Sequence, residues 1–142
     1  MSALPTLVLI KLDNKTKDDE FKIQFDKFCD RTKEDIDREY IYRMMHTSEW
    51  FLFARNGNLS EGWVVISNNK SKISSKKYIR VEFAYSEDDT NAVNSVEGDL
   101  EILAKSVGAK YIEFYTRFKP IVDHAVREGY KIEQYVCHKE IN

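Results

Sequence analysis

Three histidines and two cysteines are the side chains through which this chain could bind metal or attack an electrophile, and their placement argues against both. His46, His124 and His138 lie far apart, and none has a Cys or Asp four residues on, the spacing that would put two ligands on one helix face. Cys29 and Cys137 give neither a disulfide framework nor a zinc pattern. No serine sits in a Gly-x-Ser-x-Gly elbow. No metal is expected, and Cys29 reads as core. Two other groups could recognise a partner. Lys70, Lys72, Lys76, Lys77 and Arg80 make a basic stretch that would suit an anion, or would simply keep a hairpin loop solvated. Tyr111 and Tyr115 fall on one face of a short strand, and tyrosine is enriched where proteins meet.

Composition favours the solvated reading of the lysines. The 142 residues carry 22 Lys+Arg against 24 Asp+Glu, a net charge of -2, whereas a nucleic-acid domain is usually basic. Hydrophobic residues make up 42% and aromatics 13%, enough for one domain over 1–142 to bury a core without staples. No apolar run, Leu7 to Ile10 included, approaches the roughly 20 residues that span a bilayer. The expectation is a soluble, cytoplasmic domain that is not secreted and binds neither membrane nor nucleic acid.

The elements that would position these residues follow from periodicity and punctuation. Thr6 to Leu12 reads as a strand buried on both sides. Thr16 to Asp19 resembles a capping box, opening a helix with Phe21, Phe25, Phe28 and Cys29 on one face. Thr32 and Asp35 repeat the signal before Ile36, Tyr40, Ile41, Met44 and Met45. Trp50–Phe53 and Trp63–Ile66 flank Asn56-Gly57-Asn58, a hairpin signature. A polar loop is expected from Ser67 to Lys76. From Lys77 to Tyr85 strict alternation predicts Ile79, Val81, Phe83 and Tyr85 on one face and Tyr78, Arg80, Glu82 and Ala84 on the other. Val93, Val96, Leu100, Leu103 and Val107 make a helical seam from about Thr90 that Gly108 ends, so Leu100 and Leu103 should be nearly fully buried. A strand at Tyr111 to Tyr115, a helix from Pro120 to Gly129 and a last strand from Tyr130 to Ile141 complete an α/β (α+β) order β-α-α-β-β-β-α-β-α-β. That is a mixed sheet with helices on both faces, in which the strands from Lys77 and from Tyr111 should be parallel neighbours.

This order resembles the GNAT-type N-acetyltransferases. Leu103-Ala104-Lys105-Ser106-Val107-Gly108 running into Ala109 to Ile112 is similar to that family's central helix and fifth strand. Ala125 to Tyr130 looks like its Tyr-Glu-Lys-Leu-Gly-Phe segment, and His138 to Ile141 like its closing strand. The resemblance implies a general base at Glu82, since some members use a glutamate on the fourth strand.

Two family features are absent. The family holds the acetyl-CoA pyrophosphate with an Arg-x-x-Gly-x-Gly turn, where backbone N–H groups meet the phosphates at a helix N-terminus. Here Ser86 to Ser95 has no glycine and no arginine. From Val81 to Ala104 there are seven acidic residues and no basic one. Ala125 stands where many members place a general-acid tyrosine, with His124 turned about 100° away. The resemblance therefore implies a GNAT-like fold without acetyl-CoA catalysis, expecting no cofactor and serving as a structural or protein-binding component. Tyr111 and Tyr115 are its candidate contact residues, and the partner is another protein, a second copy or a virion assembly. A composition rich in Lys, Asn, Ile and Asp fits an AT-rich genome such as a phage. The alternative is a divergent acyltransferase with Glu82 as base and acetyl-CoA held by backbone at Asn91, Ala92 and Ser95.

Overall fold

A computed structural model describes residues 7–86, 97–116 and 119–141. Strands β1 (Leu7–Ile10), β2 (Trp50–Arg55), β3 (Trp63–Lys70), β4 (Lys77–Tyr85) and β5 (Tyr111–Phe114) form one sheet in that spatial order. The first three pairings are antiparallel; β4 and β5 are the parallel neighbours the sequence predicts. Helices α1 (Lys15–Thr32) and α2 (Arg38–Met44) cover one face, α3 (Glu97–Ser106) the other, and α4 (Lys119–Arg127) follows β5.

The helices start later or earlier than the threonine signals suggest. Asn14, not Thr16, caps α1, its Oδ1 accepting from the Lys17 N–H at 2.9 Å. Asp37, not Thr32, caps α2 by accepting from the Tyr40 N–H at 3.1 Å. Both are short polar side chains one residue before a helix, which is what the orphan N–H groups of a first turn require. The two helices are fastened together: Arg38 bonds Asp26 at 2.6 Å, and the Tyr42 hydroxyl donates to the same carboxylate at 3.1 Å. Burial first, and then Asp26, push the Tyr42 phenol up to about 12.

The stop signals hold. At Gly108 (φ 74°) the Ala109 N–H returns to the Ala104 carbonyl, and at Gly129 (φ 96°) the Tyr130 N–H returns to that of Ala125, both at 2.9 Å. These are left-handed caps that glycine adopts without strain. The hairpin turn places Asn56 and Gly57 at positive φ as expected. The predicted polar loop is shorter than read, because β3 continues to Lys70 and pairs with Lys77.

Four further expectations change. Strand β1 is an edge strand, with Val8 and Leu9 exposed rather than buried. Leu100 is fully buried, but Leu103 is only partly so and Val107 is exposed, because Leu100 and Ala104, four residues apart, face the sheet, Leu103 lies beside that line and Val107 lies beyond the end of α3. Val93 and Val96 lie outside the described residues. Residues 130–141 form no strand in the sheet among the described residues. Finally, the strict alternation of β4 is broken in mid-strand, and the candidate site forms at the break.

Candidate functional site

Strand β3 alternates regularly: Trp63 and Val65 enter the α1/α2 core, Val64 and Ile66 the α3 core. Its partner does not. Val65 faces Phe83 but Ile66 faces Val81, so Glu82 is an extra residue on β4. Such a bulge sets two β4 side chains against one and reverses the alternation beyond it. Ile79 and Val81 therefore pack with α3, whereas Phe83 and Tyr85 pack with α1 and α2, although all four share one parity. The predicted single face of four residues is corrected to two faces of two.

The bulge delivers the Glu82 carboxylate, half-buried, to the Ser67 hydroxyl, which donates to Oε2 at 3.3 Å. Ser67 is itself buried and accepts from the Asn69 amide at 2.8 Å. Burial is the main cause that raises the Glu82 carboxyl above its ordinary value, with Glu113 adding to it and Arg80 and the Ser67 bond opposing. Glu82 makes no ion pair among the described residues. Arg80, the cation two positions away, is engaged elsewhere: it grips Glu113 of β5 at 2.7 Å and lies over the Tyr115 ring at 5.1 Å. Tyr78 stacks on Tyr111 with ring centroids 4.8 Å apart and nearly parallel.

Tyr111 and Tyr115 thus share a face with Tyr78, Arg80 and Glu113, and both remain exposed. Sequence reading missed Ser67, Asn69 and Glu113. The last was available in the alternation Tyr111, Glu113, Tyr115; the first two depend on the register with β4. Trp50 borders the patch, pairing with Ser67 across β2 and β3 and placing its ring 6.0 Å from that of Phe83. It also lines an open cleft of about 300 Å³ with Leu12, Met45, His46 and Thr47. There the His46 ring nitrogen bonds Asp18 at 2.9 Å. Burial would raise the Asp18 carboxyl, but the bonds from His46 and Lys22 hold it below the ordinary value.

The parallel ladder between β4 and β5 ends at Val81–Phe114, while β4 runs on to Tyr85. The sheet therefore opens beside the bulge. Asn91, Ala92 and Ser95 lie outside the described residues, so their place relative to this opening is not stated. At the exit of β4, Arg31 of α1 donates to the Ser86 carbonyl at 2.7 Å and covers the Tyr85 ring at 4.4 Å. Glu87, Asp88 and Asp89, which follow in the sequence, lie outside the described residues. Ala125 is buried, and His124 faces Glu128 at 3.6 Å. No group of three metal-ligating side chains occurs among the described residues. No helix among them is long and apolar enough to cross a membrane. Of the basic stretch, Lys70, Lys72, Lys76 and Lys77 are exposed at the turn between β3 and β4, while Arg80 points into the Glu113 pair.

No protein-family model and no curated protein sequence matches this chain. Solved structures do resemble it. A ribosomal-protein-alanine N-acetyltransferase from Brucella melitensis superposes with a TM-score of 0.68 at 12% identity, covering 96% of this chain and 97% of its own. A GNAT family acetyltransferase from Staphylococcus aureus gives 0.65 at 14%, covering 95% and 97%. A transcriptional regulator from Bacillus halodurans gives 0.65 at 9%, covering 95% and 99%. At such identities the likeness is one of fold.

Proposed function

We propose, starting from this GNAT-like fold, that the domain is a protein-binding module whose α1/α2 face receives a cationic group at Glu82 and that does not use acetyl-CoA. The observation that carries the reading is a half-buried carboxylate with a raised pKa, one serine partner and no ion pair among the described residues. A desolvated carboxylate of this kind gains from an incoming ammonium or guanidinium, which restores the stabilisation that burial removes. Tyr78, Tyr111 and Tyr115 supply aromatic surface beside it, suited to the aliphatic stem and charge of a lysine or arginine. The acidic run after β4 discourages phosphates and agrees with a cationic partner.

A second reading, a divergent acyltransferase, is favoured by the opening of the β4–β5 ladder next to the bulge. In it Glu82 takes the proton from an amine acceptor, a role its raised pKa suits. One titration experiment separates the two. With an oligolysine peptide as probe, calorimetry is expected to show binding that weakens at least several-fold in Glu82→Gln and is unchanged in Glu101→Gln on α3. Equal loss in both variants would make the attraction a general acidic effect and end the proposal. Acetyl-CoA binding that strengthens in Asp88→Asn with Asp89→Asn, together with acetyl transfer to the peptide abolished by Glu82→Gln, would establish the acyltransferase.

A further inference from the structure

Residues 131–141 and strand β5 each lack what the other offers. β5 is the last strand of the sheet, so the backbone groups along its outer edge have no ladder partner among the described residues. An open edge of this kind is a template for another extended chain. Residues 131–141 form neither helix nor strand and make no backbone hydrogen bond to the described residues. They nevertheless carry Ile132, Tyr135, Val136 and Ile141, which are 58%, 89%, 79% and 85% exposed. Branched and aromatic residues among charged ones, Lys131, Glu133, Lys139 and Glu140, are the composition of a strand that lies half-buried on a sheet.

The launch of this segment is fixed. The Tyr130 N–H closes the α4 cap on Ala125, and the Tyr130 ring meets Phe114 of β5 edge-on at 5.3 Å. The segment begins against its own β5, yet it leaves that edge unpaired and stays in solvent.

We infer that residues 131–141 add as a sixth strand to the open β5 edge of a second copy of this chain, and receive that copy's segment in return. One open β5 edge and one unpaired C-terminal segment per chain means that two copies related by a two-fold axis satisfy both, so that neither feature is left to recruit a third copy. A foreign partner would complete one and strand the other. The inference is independent of the role given to Glu82.

The test uses the full chain. Sedimentation is expected to give twice the 16.7 kDa mass, and removal of residues 131–141 to give a monomer with unchanged helix signal. A full chain that is monomeric, or a truncated chain that remains dimeric, would overturn the exchange. Should the truncated chain fail to fold, cross-linking decides. Cys137 is exposed and Cys29 is buried, so maleimides reach only the segment. One chain keeps Cys137; a second, of different mass, carries Cys137→Ser with Lys110→Cys beside β5. A flexible bis-maleimide is expected to join the two chains. If instead Cys137 and Lys110→Cys react only when both sit in one polypeptide, the segment folds back on its own edge and the proposal fails.

Discussion

The two faces of the sheet are built from different materials. Towards α1 and α2 the packing is aromatic: Phe25 alone has its ring against Phe21, Phe28, Tyr42, Trp63 and Phe83. Towards α3 the buried centre is aliphatic, with Val64, Ile66, Ile79, Val81 and Leu100, and the rings of Phe51, Phe53 and Phe114 pack against it only partly buried. Aliphatic side chains interdigitate and leave little room for polar groups, whereas rings packed edge to face create flat walls with polar margins. All the polar structure around Glu82 lies at the margin of the aromatic face. The comparison teaches that one layer of this domain holds the sheet while the other both holds it and shapes its chemistry.

The comparison can be broken by substitution. Phe25→Ala should cost about 3–5 kcal/mol, since a fully buried ring leaves a cavity its rigid neighbours cannot fill. Leu100→Ala, on the aliphatic face, should cost about 3 kcal/mol. Urea denaturation reads both, and a larger loss at Leu100 than at Phe25 would reverse the ranking of the faces. Leu103→Ala should cost only about 1 kcal/mol, because the side chain is half-buried.

Smaller effects sharpen the picture of the polar margin. A double-mutant cycle on Arg80→Met and Glu113→Gln should give a coupling below about 1 kcal/mol, as both side chains are more than a quarter exposed. The smallest expected change has a distinctive pH dependence. The folded state raises the Glu82 carboxyl, so it holds that proton more tightly than the unfolded chain does. Ionising Glu82 therefore costs stability as pH rises above its ordinary 4.5 through the raised value. Glu82→Gln should melt slightly higher than the natural chain at neutral pH, and the difference should vanish in acid. A variant that melts lower at neutral pH would show the carboxylate to be stabilised where it stands.

Much of the fold was legible because its signals are local. Asn56-Gly57 fixes a turn, and Gly108 and Gly129 end helices, through the conformations of one or two residues. The parallel pairing of β4 and β5 followed from the element between them. The caps at Asn14 and Asp37 were misplaced because several polar residues in a row compete and only the chain's entry angle chooses among them. The site was far less legible. Glu82 could be singled out by resemblance, but its bond to Ser67 depends on the register of two strands. Period-two alternation contains no mark for a bulge, so Phe83 and Tyr85 were read onto the wrong layer.

The bulge also divides β4 as a site of inheritance. A length change of one residue between Lys77 and Val81 would turn Tyr78, Ile79 and Arg80 over while leaving Phe83 and Tyr85 in register with β3. Loss of residue 82 itself would set Val81 next to Phe83 opposite Ile66 and Val65, a regular ladder in which Ile79, Val81, Phe83 and Tyr85 all keep their layers. The extra residue is therefore a splice that the packing of the sheet does not require. What its removal would take away is the carboxylate that reaches Ser67.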